Sequence, residues 1–376
     1  MADLIEIWYH DESEVDPVRS WLANSAFLVS KAQLRAYTEC SYSRVLALTE
    51  YARPDFILTV NGEPALSAEL TKMNPSGHNL PQRFSCLVRA AELGIPSLYY
   101  YPEYSRRTVS DPNPRYLNVR VPLAQLRMSE IYGIPSLSLL WPTDPTTILP
   151  TSQLSAHLNL ALFVEYVAKL KLSNTTLTLA DPKVNVIIQE MKRLSVPRRS
   201  SDYPDNPSFR IAYPTGDPFT KTVLSTSLPG KSIDPPPSCK IELTEALLKR
   251  LYISFGKKLP KENKKVSTLL TRNRSFVYTG TANSQKTGPE HPFPGYLSML
   301  DILYLRTSTG QTSRDRNMNL VFELPISLES YIQNAINRTT GLNILMEFAD
   351  FIVLDNAVVL GGWIRNLSAG AVLIKR

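Results

Sequence analysis

The chain has 376 residues, 43% hydrophobic and 20% charged, which suits two ordinary domains, or one large domain with an appendage, and is too apolar for wholesale disorder. Several features point to a cytoplasmic protein without structural metal or membrane partner: no apolar run reaches the roughly 18 residues that span a bilayer, acids (Asp3, Glu6, Asp11, Glu12) stand where a secretory leader would be basic and then apolar, and Cys40, Cys86 and Cys239 are too few and too scattered for a disulfide framework or a zinc site,. The net charge of +7 is unevenly divided: residues 1–180 carry 15 basic and 17 acidic side chains, and 181–376 carry 26 and 17.

In chain order, partial helical periodicity (Phe27, Leu28, Lys31, Leu34, Arg35, Tyr37, Val45, Leu48) predicts a helix over 27–52, stopped by Pro54,. Two strands joined at Asn61-Gly62 follow, then a loop around 74–81 rich in turn residues. A helix is expected over 82–94 and a short buried strand over 95–102, bounded by prolines,. The run 115–121 reads as strand, 122–133 as helix and 152–171 as a long apolar helix. Nine prolines fall between Pro197 and Pro237, so 181–241 is expected to be an extended connecting arm. Beyond it, helices are expected at 242–252, 295–306 and 327–337, strands at 274–279 and 318–324, and a hairpin turning at Asp355-Asn356. There is no internal repeat.

Asp55 and Glu69 lie on the two consecutive strands. Two carboxylates on one sheet face can hold a magnesium-type ion, with water and a phosphate oxygen completing its shell. Strand alternation makes this a question of register. A two-residue turn at Asn61-Gly62 sets Val60 opposite Glu63 and would send the two acids to opposite faces. A three-residue loop with a left-handed Gly62 in a bulge returns them to one face. The pairing therefore requires a bulged hairpin, with Pro64 tolerated beside the bulge.

The segment resembles the PD-(D/E)XK nuclease superfamily: Pro54-Asp55, a hairpin, the run Ala68-Glu69-Leu70, a helix and a further strand follow its core order. The run 69–84 also resembles type II restriction endonucleases. The resemblance spans roughly residues 30–102, with a weaker likeness in 292–307 and 314–325. It implies an α/β fold, a restriction-endonuclease-like mixed sheet flanked by helices, with a catalytic core over 1–180 and a basic α+β part over 242–376 for DNA recognition. It also implies magnesium held by Asp55 and Glu69, double-stranded DNA as substrate and a two-fold homodimer, since cutting both strands needs two sites. The family's lysine, two residues after the second acid, is replaced by Thr71, and Lys72 comes one later. Alternation puts Thr71 with Glu69 and Lys72 on the other face. Three repairs are open: a bulge that brings Lys72 round, a group from the next helix (Gln82 or Arg83), or Thr71 holding a water. The second is favoured, because that helix should start beside the hairpin end. His78 in the loop is either a proton relay, ligand or phosphate contact, or a turn residue bonded to local backbone. Glu39 and Glu50 are weaker candidates for a third acid.

The stretch 240–316 holds 14 basic and 6 acidic residues. Lys257, Lys258, Lys261, Lys264, Lys265, Arg272 and Arg274 form either a polyanion-binding face or a solvated surface. Arg306, Arg314 and Arg316 are candidates for gripping phosphates or reading guanine edges. The chain has no phosphate-binding loop of the G-x-x-x-x-G-K-[ST] type, no G-x-G-x-x-G, no G-x-S-x-G elbow and no H-E-x-x-H.

Overall fold

The computed structural model describes residues 4–10, 18–72, 83–106, 108–111, 114–117 and 119–195. Beyond them it describes 210–214, 221–225, 275–279, 292–306, 316, 319–323, 327, 330, 348–349, 351–353, 357–360 and 372–374. The chain divides into two compact units, Met1–Tyr203 with Thr309–Ser313, and Pro204–Ser308 with Arg314–Arg376. None of the described helices is long and apolar enough to cross a membrane.

The first unit is a six-stranded mixed sheet flanked by helices. Its strands are β1 (Ile5–Tyr9), β2 (Ala32–Ala36), β3 (Phe56–Val60), β4 (Glu63–Leu70), β5 (Ser97–Tyr101) and, after the short ribbon β6 (Tyr104–Ser105) and β7 (Arg115–Tyr116), β8 (Ser136–Leu140). The order is β2-β1-β3-β4-β5-β8. Strands β1, β3 and β4 pair antiparallel; β4, β5 and β8 run parallel, as do β1 and β2.

Alternation sorts the side chains into two unlike faces. Ile5, Ile7, Phe56, Leu58, Leu66, Ala68, Leu70, Leu98, Tyr100 and Leu137 form an apolar face. It is covered by α5 (Leu158–Leu172), through Leu160, Phe163 and Val164, and by α6 (Pro182–Leu194), through Val184, Ile187 and Met191. The other face has a small apolar cluster of Trp8, Val45, Leu48, Ile57, Ala90 and Ile95 under α2 (Ser43–Leu48) and α3 (Phe84–Glu92). Farther along it presents Ser67, Glu69, Ser97, Tyr99, Tyr101, Ser136 and Ser138, all buried. Helix α4 (Arg120–Tyr132) packs along β8, where Gln125 donates to the Leu137 carbonyl at 2.8 Å. Some polar atoms on this face are matched among themselves: Ser97 donates to Ser136 and Tyr101 to Ser138, whereas Ser67 Oγ has no hydrogen-bond partner among the described residues,.

Four expectations are corrected here. The helix expected over 27–52 is instead α1 (Ala26–Lys31), the edge strand β2 and α2. The edge of β1 offers unpaired backbone groups, and Ala32–Ala36 satisfies them in parallel register, which outweighs a partial helical pattern,. Among the described residues of the strand expected at 115–121, only Arg115–Tyr116 is strand; the chain is helical from Arg120, with Pro122 in the first turn,. Residues 182–194 are not part of an arm but α6, capped by Asp181, whose carboxylate accepts from Lys183 N and Val184 N. The rest of the expected arm contributes β9 (Arg210–Pro214) and β10 (Lys221–Ser225) to the second unit's sheet.

That sheet has the order β10-β9-β11-β12-β13-β14-β15, with β11 (Ser275–Thr279), β12 (Asn319–Glu323) and β13 (Phe351–Val353) parallel and β14 (Ala357–Leu360) and β15 (Val372–Ile374) antiparallel beyond them. The expected hairpin at Asp355-Asn356 is β13–β14. Helix α7 (Pro292–Leu300) continues into one wider π-helical turn, Asp301–Leu305. The helix expected at 242–252 lies outside the described residues, as does that at 327–337 except for Ser327 and Ser330, where the Ser330 N–H donates to Ser327 Oγ at 3.2 Å.

The β3–β4 turn is two residues long, with positive φ at both Asn61 (53°) and Gly62 (80°), the pattern whose twist matches a hairpin. A Cβ on Gly62 would stand 3.0 Å from Tyr42 Cε1. Gly62→Ala is therefore expected to destabilise the chain by about 1 kcal/mol or more, read as a lower urea midpoint with unchanged slope.

Candidate active site

The turn alone would put Asp55 and Glu69 on opposite faces. The hairpin pairs Val60 with Glu63 and Thr59 with Pro64, and then shifts register, so that Leu58 faces Leu66, Ile57 faces Ser67 and Phe56 faces Ala68. The extra residue is Ala65, with Pro64 beside the bulge. Continued by one residue, this register sets Asp55 across from Glu69. The bulge is thus in β4 and not in the turn, a correction to the expected three-residue loop. The parity is the one the acid pair requires.

Both carboxylates are buried, Asp55 at 5% and Glu69 at 0% exposure. Asp55 Oδ2 accepts from the backbone N–H of Leu70 at 2.5 Å. Arg83, at the residue preceding α3, reaches both acids through Nη1, 2.7 Å from Asp55 Oδ1 and 3.3 Å from Glu69 Oε2. Glu69 Oε1 is buried with no hydrogen-bond partner of good geometry among the described residues. The Cys86 thiol, one helical turn into α3, faces the same carboxylate. Next to Glu69 on β5 is Tyr99, whose hydroxyl lies 3.0 Å from Thr71 Oγ1.

Burial pushes both carboxyls up from their ordinary values. Glu69 rises furthest, because the Asp55 charge adds to its burial and Arg83 offsets only part of the effect,. A folded-state value above the unfolded one means that the folded chain binds protons more tightly. That stability is present in full below the unfolded value, near 4.5 for Glu69, and is lost as pH rises through the folded value. The chain in EDTA is therefore expected to lose stability as pH rises above 4.5, and Glu69→Gln to flatten that decline and raise the urea midpoint at pH 8. A midpoint that rises with pH equally in both proteins would contradict this.

Of the residues proposed from sequence, Asp55, Glu69, Thr71 and Arg83 come together. Lys72 does not: its charge is felt by His157, which packs among Trp21, Tyr100 and Trp141. It follows β4 on the apolar side of the sheet, with Leu70, so the bulge does not bring it round. Glu39 and Glu50 are in surface ion pairs with Arg35 and Arg89. His78 and Gln82 lie outside the described residues, as do Lys257, Lys258, Lys261, Lys264, Lys265, Arg272, Arg274 and Arg314. Arg306 and Arg316 are corrected from DNA contacts to interior groups. They are 5% and 6% exposed and both donate to the buried Asp301, at 2.8 and 2.5 Å. Tyr99 and Cys86 are neighbours of the site that sequence reasoning did not assign to it. The parallel β4–β5 pairing would have placed Tyr99 there.

Among the described residues no group of three His, Cys, Asp or Glu side chains is arranged to hold a metal. The two carboxylates still fit a magnesium-type ion, which takes one or two protein carboxylates and keeps several waters. A cation already bridges them, and one buried oxygen has no donor of good geometry. Comparison with protein-family models, characterised proteins and solved structures gave no match to the chain.

Proposed function

We propose that the chain is a magnesium-dependent endodeoxyribonuclease of restriction-enzyme type, with the restriction-endonuclease-like fold in its first unit. The observation that carries this reading is the bulge at Ala65, which turns a hairpin whose acids would diverge into one whose acids face each other. On a sheet face that also buries Glu6, Trp8, Tyr99 and Tyr101, two buried carboxylates that share one guanidinium nitrogen are costly unless a cation is bound.

Asp55 and Glu69 would hold the ion, with Leu70 N–H fixing the Asp55 rotamer. When bound, magnesium acidifies a water and neutralises charge on a phosphodiester. Thr71, held by Tyr99, would orient water through its carbonyl or hydroxyl. Arg83 stands near enough to grip a phosphate oxygen. The basic second part would supply affinity for the DNA backbone, and a two-fold homodimer would present two sites to a palindromic duplex.

A second reading, a nuclease-like fold that binds DNA without cutting, is favoured by Lys72 lying off the acid face and by Arg83 filling the space between the carboxylates. Digestion of a mixed plasmid pool with and without magnesium, followed by sequencing of the ends, separates the two. The nuclease reading predicts magnesium-dependent ends at one recurring sequence. Salt-sensitive retention on DNA with intact plasmids in magnesium would favour the second.

A further inference from the structure

We propose that Arg83 is the internal counter-ion of the acid pair in the metal-free chain, and that a divalent cation binds only by displacing its guanidinium. The proposal rests on the metal-site reading above and adds the group that regulates it. The geometry behind it is a single nitrogen, Arg83 Nη1, within 2.7 Å of Asp55 and 3.3 Å of Glu69. An ion coordinated by both carboxylates would stand in the same place, and two cations cannot share it.

The arrangement has an outlet. The Arg83 side chain is 37% exposed while its partners are 8% and 0%, so the guanidinium can leave toward solvent and the carboxylates cannot. Arginine keeps its charge at any working pH, so the counter-ion is always present and competition with it lowers the apparent metal affinity. Released from the acids, the same guanidinium is free to take a phosphate oxygen. Metal binding and phosphate binding would then be coupled: a phosphate that holds Arg83 away from the acids favours the ion, and the ion favours the phosphate.

The test uses the full chain and manganese(II) alone as probe, with bound ion counted by the loss of the free-ion electron paramagnetic resonance signal. Arg83→Gln is expected to bind manganese about tenfold more tightly than the parent chain. Equal or weaker binding by a folded variant overturns the proposal while leaving the metal site standing. Absence of manganese binding in both proteins overturns the metal-site reading itself, and the proposal with it. Should Arg83→Gln fail to fold, the parent chain gives an independent readout. Phenylglyoxal labelling of Arg83, followed by peptide mass spectrometry, is expected to rise several-fold on adding manganese, and unchanged or reduced labelling in the metal-bound chain overturns the proposal.

Discussion

Asp55→Ala and Glu69→Ala are each expected to abolish magnesium-dependent cleavage, a loss of at least about 10³-fold, because the metal's contribution to the transition state is several kcal/mol and each tenfold is about 1.4 kcal/mol. The two effects should not add, since both remove the same ion. Retention on DNA should survive, because the carboxylates repel phosphate and, under the proposed function, the affinity would come from basic groups elsewhere. Alanine at Asp55 also frees the Leu70 N–H, so Asp55→Asn and Glu69→Gln, which keep volume and acceptors, serve as controls. They should be equally inactive, and Glu69→Gln no less stable in EDTA at pH 8. Cleavage by either alanine variant at the parental rate would show that these acids are not the metal ligands.

The largest expected effect on stability lies in the second unit. Asp301 is the shared acceptor of Arg306 and Arg316, and all three are almost wholly buried. Burial alone would raise the Asp301 carboxyl, but the two guanidiniums outweigh it and hold the group below its ordinary range. Arg316 also donates to the Phe348 carbonyl at 3.0 Å, linking the triad to the segment before β13. Asp301→Ala removes the buried anion that both cations share, and breaking a buried pair in this way costs about 3–5 kcal/mol. Because the chain has two units, the loss is best read by hydrogen exchange in β11 and β12, which should speed by about two orders of magnitude or more. Exchange within threefold of the parent would contradict the interior role of the two arginines. The sign with pH is the reverse of that for Glu69: a lowered carboxyl loses its stabilisation as pH falls through the folded value.

The acid pair was legible because the requirement was geometric: whichever turn formed, the acids could share a face only if one residue was inserted. Sequence pointed to the turn, since Gly62 suits a left-handed position, but the insertion came at Ala65. Ala65 is buried in the apolar core, so the place of the bulge answers to packing as much as to local residue preference. Lys72 was legible by alternation. The next helix was the favoured source of a group, Gln82 or Arg83, because its first turn should approach the hairpin end, and Arg83 does reach both acids. The strands β1 and β8 and the helix α6 were not read out. Ile5–Tyr9 and Ser136–Leu140 are short, and their alternation has meaning only beside the neighbours they pair with. The same holds for Ala32–Ala36, where an edge partner decides between helix and strand. Arg306 and Arg316 looked like surface cations because Asp301, which both reach, stands before one and well before the other; the π-helical turn brings Arg306 onto it and the antiparallel bridge between Arg306 and Arg316 brings the second.

Site-directed oxidative cleavage tests the central claim most directly. The full chain is loaded with iron(II) in place of magnesium, treated with ascorbate and peroxide, and its fragments are sized and sequenced, so that the backbone is cut where the ion sits. The account predicts cuts beside Asp55 and at 69–71, suppressed by excess magnesium and absent in Glu69→Gln. Cuts confined to other segments, or the same cuts in Glu69→Gln, would contradict it.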